Sequence, residues 1–355
     1  MKKIDSDRLT VWVLMGGPSS EHEVSKVSGS GMVRALDPKR FAVVPVVISK
    51  TFEWKWTESP LSADEQRAFD ATKPDSLKWK SAMRPSLMDL PKCDVALLGL
   101  HGRFGEDGTV QALLDYYEIP YTGSGRLASS LGMNKIKSKE IYRQNGIPTS
   151  DWVTISATDL ADEVALRQKL DVLPWPLFLK DPEGGSSIDM GKADDFAQAL
   201  KLAKRLLEKF PVVLAEGYVK GRECSIGALE GSPKPLPPTE IIPKGEYFDY
   251  EAKYNGYGRE VTPAEFPPEV TAELQFLTLK AHRALGCSVY SRTDFIVDAL
   301  GKPWALETNT LPGMTPTSLL PQQAASVGMG YSALVEHVLK TSLARFGLEW
   351  DGWSC

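Results

Sequence analysis

The sequence predicts an α/β protein, α+β over its later part, in which a layer of parallel strands comes first and two mixed regions follow. Three observations carry this prediction. Strand-like apolar runs at residues 11–15, 41–48 and 95–100 alternate with a helix-like segment, the pattern of a parallel layer. A turn-rich stretch at 119–125 then leads into a lysine-bearing helical pattern, where a second region begins. From about residue 212 strand-like runs return, and helical patterns flank one more strand at 291–297. At 355 residues the chain exceeds what one hydrophobic core serves, so two or three domains are expected.

Taken in order, Val24, Val27, Met32 and Leu36 approximate helical spacing and define the first helix. Residues 51–92 turn polar and irregular, with Trp54, Trp56 and Trp79 among prolines and charges, and read as a surface excursion. Residues 127–144 read as a helix carrying Lys135, Lys137 and Lys139. A strand over 175–180 enters the loop Glu183-Gly184-Gly185-Ser186-Ser187, and residues 194–209 repeat apolar positions at three and four, as a helix does. Residues 243–262 are aromatic and charged without a clean period and are bracketed by prolines and glycines, which reads as a lid. The alternative is an aromatic-rich loop packed for stability. The expected division is 1–126, 127–213 and 214–355, with the lid inside the last part.

Composition bounds the function. About two-fifths of residues are hydrophobic and a quarter charged, as in ordinary globular proteins. A net charge of -5 and the lack of a basic, aromatic-interleaved patch argue against nucleic acid as a partner. The opening MKKIDSDRLTVWVLMGG has too short an apolar run for a signal peptide, and no later run approaches membrane-spanning length, so a cytoplasmic protein with no membrane partner is expected. Cys93, Cys224, Cys287 and Cys355 lack paired spacing and suggest neither a disulfide framework nor a zinc site.

The chemistry concentrates in two places. In the glycine-serine loop after Lys180, glycines let backbone N–H groups approach a phosphate, serines add hydroxyl donors and the lysine adds a point charge. The loop is not a Walker A motif, and a plain turn is the alternative reading. Arg292-Thr293-Asp294 and Glu307-Thr308-Asn309 sit on consecutive strands, where alternate residues share a face. Adjacent strands would then present two carboxylates, an amide oxygen and a guanidinium to one volume, a donor set suited to Mg²⁺. A salt-bridged strand pair is the alternative.

Several segments in order carry a resemblance: Gly16 to Ser25 (GGPSSEHEVS), His101 to Gly108 (HGRFGEDG), Pro120 to Gly125 (PYTGSG), Tyr247 to Tyr254 (YFDYEAKY) and Asn309 to Met314 (NTLPGM). Together they resemble the D-alanine-D-alanine ligase family of the ATP-grasp superfamily, over nearly the full length. The resemblance implies an ATP-grasp fold, with an N-terminal Rossmann-like α/β domain and two α+β domains clasping ATP. It also implies joining of two D-alanines through an acyl phosphate for peptidoglycan precursors, with ATP and two Mg²⁺ (or Mn²⁺) as cofactors. By resemblance, Glu21, Ser186 and Tyr254 form a hydrogen-bonded triad over the substrates, while Arg292 and the N–H of Gly313 hold the tetrahedral intermediate. His101, Lys253 and Ser318 would bind substrate, and Lys135, Lys180, Ser187, Glu216 and Glu223 would bind ATP. Asp294, Glu307 and Asn309 would hold the metal ions, and a homodimer is implied.

The sequence also departs from the family pattern. Ile188-Asp189 follows the serines where Val-Gly is usual, Gly217 stands where a lysine is common, Lys180-Asp181-Pro182 replaces Lys-Pro, and Asn134 stands where an Asp usually precedes the lysine. Rival readings are a sister ligase making D-alanyl-D-serine or D-alanyl-D-lactate, and a non-catalytic nucleotide-binding relative. A tyrosine at position 254 favours an amine acceptor by resemblance.

Overall fold

In the computed structural model, residues 1–73, 75–185, 189–232, 235–243 and 258–353 are described. Ser186, Ser187, Ile188, Lys253, Tyr254, Cys355 and most of the expected lid lie outside them. After the short β1 (Lys2–Lys3), the first layer contains β2 (Leu9–Gly16), α1 (His22–Ala35), β3 (Phe41–Ile48), β4 (Glu53–Thr57), α2 (Ala63–Ala68), β5 (Trp79–Met83), β6 (Val95–Leu98) and α3 (Thr109–Tyr116). Its sheet runs β5-β4-β3-β2-β6, with β3, β2 and β6 parallel as the apolar runs predict. Burial on both faces explains the unbroken apolar sequence of these strands.

Residues 51–92 are not merely a surface excursion. β4 and β5 extend the first sheet antiparallel, and Trp54 and Trp56 alternate inward into the core with Lys55 between them facing out. In α1 the stripe also differs from expectation. Met32 and Val33 are buried, but Val27 is 43% exposed and, with Val24, lines a cleft beside Glu21 and His101.

The expected helix at 127–144 is two helices, α4 (Arg126–Met133) and α5 (Lys135–Gln144). The break falls at Asn134, whose extended backbone ends the first helix and whose side chain accepts from Lys137 N–H to cap the second. Next come β7 (Trp152–Ser156), α6 (Glu163–Leu170), β8 (Leu177–Lys180), β9 (Met190–Ala193), α7 (Phe196–Leu207) and β10 (Val212–Gly217), giving an antiparallel central sheet in the order β7-β10-β8-β9. The expected boundary at 213/214 runs through β10, whose hydrogen bonds to β7 and β8 put the whole strand in the central sheet.

The third sheet, β13-β12-β11-β14-β15, is antiparallel and built from β11 (Gly221–Leu229), β12 (Thr239–Pro243), β13 (Gly258–Val261), β14 (Tyr290–Asp298) and β15 (Pro303–Asn309). The helix Pro268–Ala284 packs on it, and Ala128, Tyr142 and Ile147 from the α4–α5 region join the same core rather than the central one. The helix Leu319–Ser326 packs on β11, where Gln323 accepts from Gly227 N–H and donates to the Ser225 carbonyl, each at 2.8 Å, and the helix Tyr331–Arg345 returns to the first layer, where Leu334, Val335, Val338 and Leu339 share its core. β16 (Leu348–Glu349) then pairs in parallel with β1. The segment 331–353 therefore packs with the first layer, although the expected third domain included it.

Candidate active site

Antiparallel register assembles the centre of the site. β14 and β15 pair Arg292 with Asn309 and Asp294 with Glu307, so all four side chains stand on one face. They line a cleft of about 460 Å³ together with Glu21, His101, Glu106, Lys135, Gly184, Gly185, Glu223, Gly313 and Ser318. The cleft thus gathers contributions from the first layer, from α5, from the loop after β8 and from the third sheet.

The cations in it rest on carboxylates. Arg292 donates from Nε and an Nη to the two oxygens of Asp294 at 2.9 and 2.8 Å, and Ser225 Oγ donates to Asp294 Oδ1 at 2.5 Å. Burial alone would lower the guanidinium's pKa, yet Asp294, and Glu307 beyond it, hold it above the ordinary arginine value. Lys135 Nζ pairs with Glu307 at 2.8 Å and donates to the carbonyl of Gly184 at 2.6 Å, tying α5 to the glycine-serine loop. Behind the metal-type ligands, Tyr142 Oη and Thr293 Oγ1 both meet Thr308 Oγ1, at 2.6 and 2.9 Å.

At the first-layer end Glu21 is the N-cap residue of α1, and its Oε2 would lie 2.8 Å from a Cβ built on Gly102. A larger residue at 102 would therefore displace it. His101 is buried, with Nε2 2.8 Å from Ser28 Oγ and Nδ1 3.7 Å from Glu106. Burial would lower the imidazole's pKa, but Glu106, with Glu21 further off, carries it above the usual histidine value. Ser318 caps the turn before its helix, its Oγ 2.7 Å from Thr315 Oγ1 and 2.8 Å from a Cβ built on Gly313. Only glycine at 313 leaves that space open and keeps the backbone approachable.

Lys180 and Glu216 lie on neighbouring strands of the central sheet, on the face turned away from its apolar core. Neither is among the described residues lining the cleft. Glu216 is buried and pairs with Lys180 and, at 2.8 Å, with Lys139. Burial would raise this carboxyl, but the two lysines hold it at about 2.

Among the described residues no group of three or more His, Cys, Asp and Glu side chains is placed to hold a metal ion. The expected set has two carboxylates and one amide, and its donors do converge. Hard oxygens facing one cleft, with cations lodged on them, fit a divalent ion.

Sequence reasoning missed Glu106, Lys139, Ser28 and Ser225. Glu106 sits inside the HGRFGEDG segment and was within reach, whereas Lys139 looks like a surface lysine until its partners are known. Three of the departing positions find explanations. Asp189 adopts a left-handed backbone (φ 55°) and pairs with Lys209 at 2.7 Å. At Gly217 a Cβ would sit 2.9 Å from Pro174 Cγ, which leaves no room for a lysine. Asn134 Nδ2 donates to Glu183 at 2.8 Å, bracing the start of α5 against the same loop that Lys135 holds.

Two antiparallel sheets facing a cleft lined with acids and cations, mounted on a parallel α/β layer, make this an ATP-grasp architecture. The D-ala D-ala ligase N-terminus model matches residues 10–124 and the C-terminus model residues 141–340. A D-alanine-D-alanine ligase of Leptospira interrogans is 38% identical over 346 residues, covering 93% of this chain and 98% of the relative. The D-alanine-D-alanine ligase structure from Coxiella burnetii superposes with a TM-score of 0.81 at 26% identity, covering 96% of both chains. The Bacillus anthracis enzyme complexed with ATP superposes at 0.74 and 32% identity, over 95% of this chain and 98% of that one. The chain belongs to the D-Ala D-Ala ligase family.

Proposed function

We propose that this chain joins two D-alanines to D-alanyl-D-alanine at the expense of ATP, releasing ADP and phosphate. As a family member it is an ATP-dependent ligase. The observation that carries the site reading is the β14–β15 register, which sets Asp294 opposite Glu307 and Arg292 opposite Asn309 within one cleft. Peptide bond formation from a free carboxylate is uphill in water. Transfer of the terminal phosphoryl group to one D-alanine carboxylate makes an acyl phosphate, and the amine of the second D-alanine displaces phosphate and loses a proton.

Each residue then has a task that the family resemblance gives it. Lys135 and Lys180 hold nucleotide phosphates, Glu223 accepts from ribose hydroxyls and Glu216 lies at the adenine edge. Glu21 takes the ammonium of the first D-alanine, with His101 and Glu106 as a buried pair beside it. Arg292 and the N–H of Gly313 are donors set for the oxyanion that develops when the amine attacks. Asp294, Glu307 and Asn309 would hold two Mg²⁺ or Mn²⁺ ions, whose chemistry is to neutralise phosphate charge. Ser186 and Tyr254 would complete the triad with Glu21, Ser187 would meet phosphate, and Lys253 and Ser318 the second carboxylate.

The three-part division also stands as a proposal, with the second boundary moved past Gly217 and residues 331–353 assigned to the first layer. A cytoplasmic homodimer without nucleic-acid or membrane partners completes the reading. Among the described residues no helix is long and apolar enough to cross a membrane.

The test is a substrate screen with purified protein, magnesium and ATP. Phosphate release that requires D-alanine and yields the dipeptide is expected, with D-serine and D-lactate as poorer acceptors. Equal turnover with L-alanine, or no release above background, refutes the proposal.

A further inference from the structure

The cations assigned to phosphate or to the reacting carbonyl each rest on a carboxylate: Lys135 on Glu307, Arg292 on Asp294 and Lys180 on Glu216. Glu307 and Asp294 are in the proposed metal set, where a bound divalent ion would make good the charge they lose when their cations turn to substrate. Glu216 has no such replacement. It is 4% exposed, and an unpaired carboxylate at that depth would take up a proton or resist the departure of Lys180.

The geometry divides the two oxygens of Glu216 between two lysines. Oε1 meets Lys180, while Oε2 accepts from Lys139 at 2.8 Å and from Ser150 Oγ at 3.2 Å. The Lys139 side chain has no exposed surface. Its ammonium spends its other two donors on Thr149 Oγ1 at 2.7 Å and Ser150 Oγ at 3.0 Å, and the Trp152 ring lies 5.4 Å away. Burial outweighs the attraction of Glu216 and lowers the Lys139 pKa, so the ammonium depends on this cage. Lys139 is not among the described residues lining the cleft.

We propose that Lys139 is the permanent counterion of Glu216 and so a positioning residue for the nucleotide. It fixes one carboxylate oxygen and keeps the group ionised, which lets Lys180 leave for a phosphate without stranding a buried charge. Lys139 touches no substrate and acts through Glu216 alone. The inference rests on the reading above, in which Lys180 meets phosphate and Glu216 the adenine edge.

The test is ATP binding by calorimetry with magnesium and no D-alanine, on the wild type, Lys139→Met, Glu216→Gln and the double variant. Lys139→Met should weaken ATP by about tenfold or more and raise the KM for ATP to match, with kcat and the KM for D-alanine within about threefold. The deficit should widen from pH 7.5 to 5.5, because Glu216 with one cation fewer protonates more readily. The double variant should bind ATP no worse than Glu216→Gln alone, and it keeps the test open if the single variant folds poorly, since it leaves no stranded carboxylate. ATP affinity of Lys139→Met within about twofold of wild type at both pH values, or a further tenfold loss in the double variant, overturns the inference. Wild-type protein that binds ATP yet releases no D-alanine-dependent phosphate would instead refute the proposed activity and leave this result readable.

Discussion

Asp294→Asn strikes the centre of the cleft, and its cost can be worked from the contacts. Asp294 accepts two hydrogen bonds from Arg292 and one from Ser225, and the two ionic side chains are only 9% and 15% exposed. Removing one member of a buried pair costs about 3–5 kcal/mol, because the remaining charge is stranded. Asparagine retains one oxygen that Arg292 can use, which places the loss at the lower end, about 3 kcal/mol. With a urea m-value of about 3 kcal/mol/M, the unfolding midpoint without ligand should fall by about 1 M. D-alanine-dependent phosphate release should fall by about 10² to 10³, the scale of one lost electrostatic contact in a transition state. Urea titration followed by circular dichroism and a coupled phosphate assay read the two effects separately. A midpoint within about 0.2 M of wild type would show that the pair does not carry the stability assigned to it. Activity above about a tenth of wild type would remove Asp294 from the metal set.

Three further outcomes are expected. Tyr142→Phe deletes the hydroxyl that meets Thr308 in a fully buried setting and should cost about 1–2 kcal/mol in urea unfolding. The Glu216 carboxyl is held at about 2, below its unfolded value of about 4.3, so its stabilisation is complete above the unfolded value and drains away as pH falls from there toward 2. Glu216→Gln should therefore flatten that acid limb of the stability curve, measured as unfolding free energy against pH. Gly217→Lys, which restores the residue usual in the family, should destabilise by about 1–3 kcal/mol because its Cβ meets Pro174, read as a lower melting temperature.

How much was legible in the sequence depended on whether a pattern was local. Unbroken apolar runs announced β2, β3 and β6 because both faces of those strands are covered. Arg292-Thr293-Asp294 and Glu307-Thr308-Asn309 were readable as a site because a hairpin between nearby strands leaves few registers, and the period-two alternation then fixes which side chains meet. Trp54 and Trp56 misled because two inward residues separated by one lysine, in a five-residue strand, are too short a pattern to rise above the surrounding prolines and charges. Lys139 was hidden for a different reason. A polar residue buried against a partner far away in sequence looks like any solvated one until the fold supplies the partner. The reading of residues 127–144 as one helix failed at Asn134, where a side-chain cap outcompetes continuation of the helix. The return of the helix Tyr331–Arg345 to the first layer was not legible, because no local signal says which core an amphipathic face will meet.

α5 turns its polar side inward: Lys135, Ser138, Lys139 and Tyr142 are its buried residues, and three of them reach Glu307, Glu216 and Thr308 on two different sheets. With a rise of about 1.5 Å per residue, the two lysine anchors stand about 6 Å apart along the axis, so the helix works as a spacer whose length sets how the two sheets meet at the cleft. One inserted residue would swing everything after it by about 100° and uncouple the two sheets while leaving every cleft side chain intact. An insertion or deletion inside α5 should therefore disrupt the cleft, because this helix has no spare turn to give.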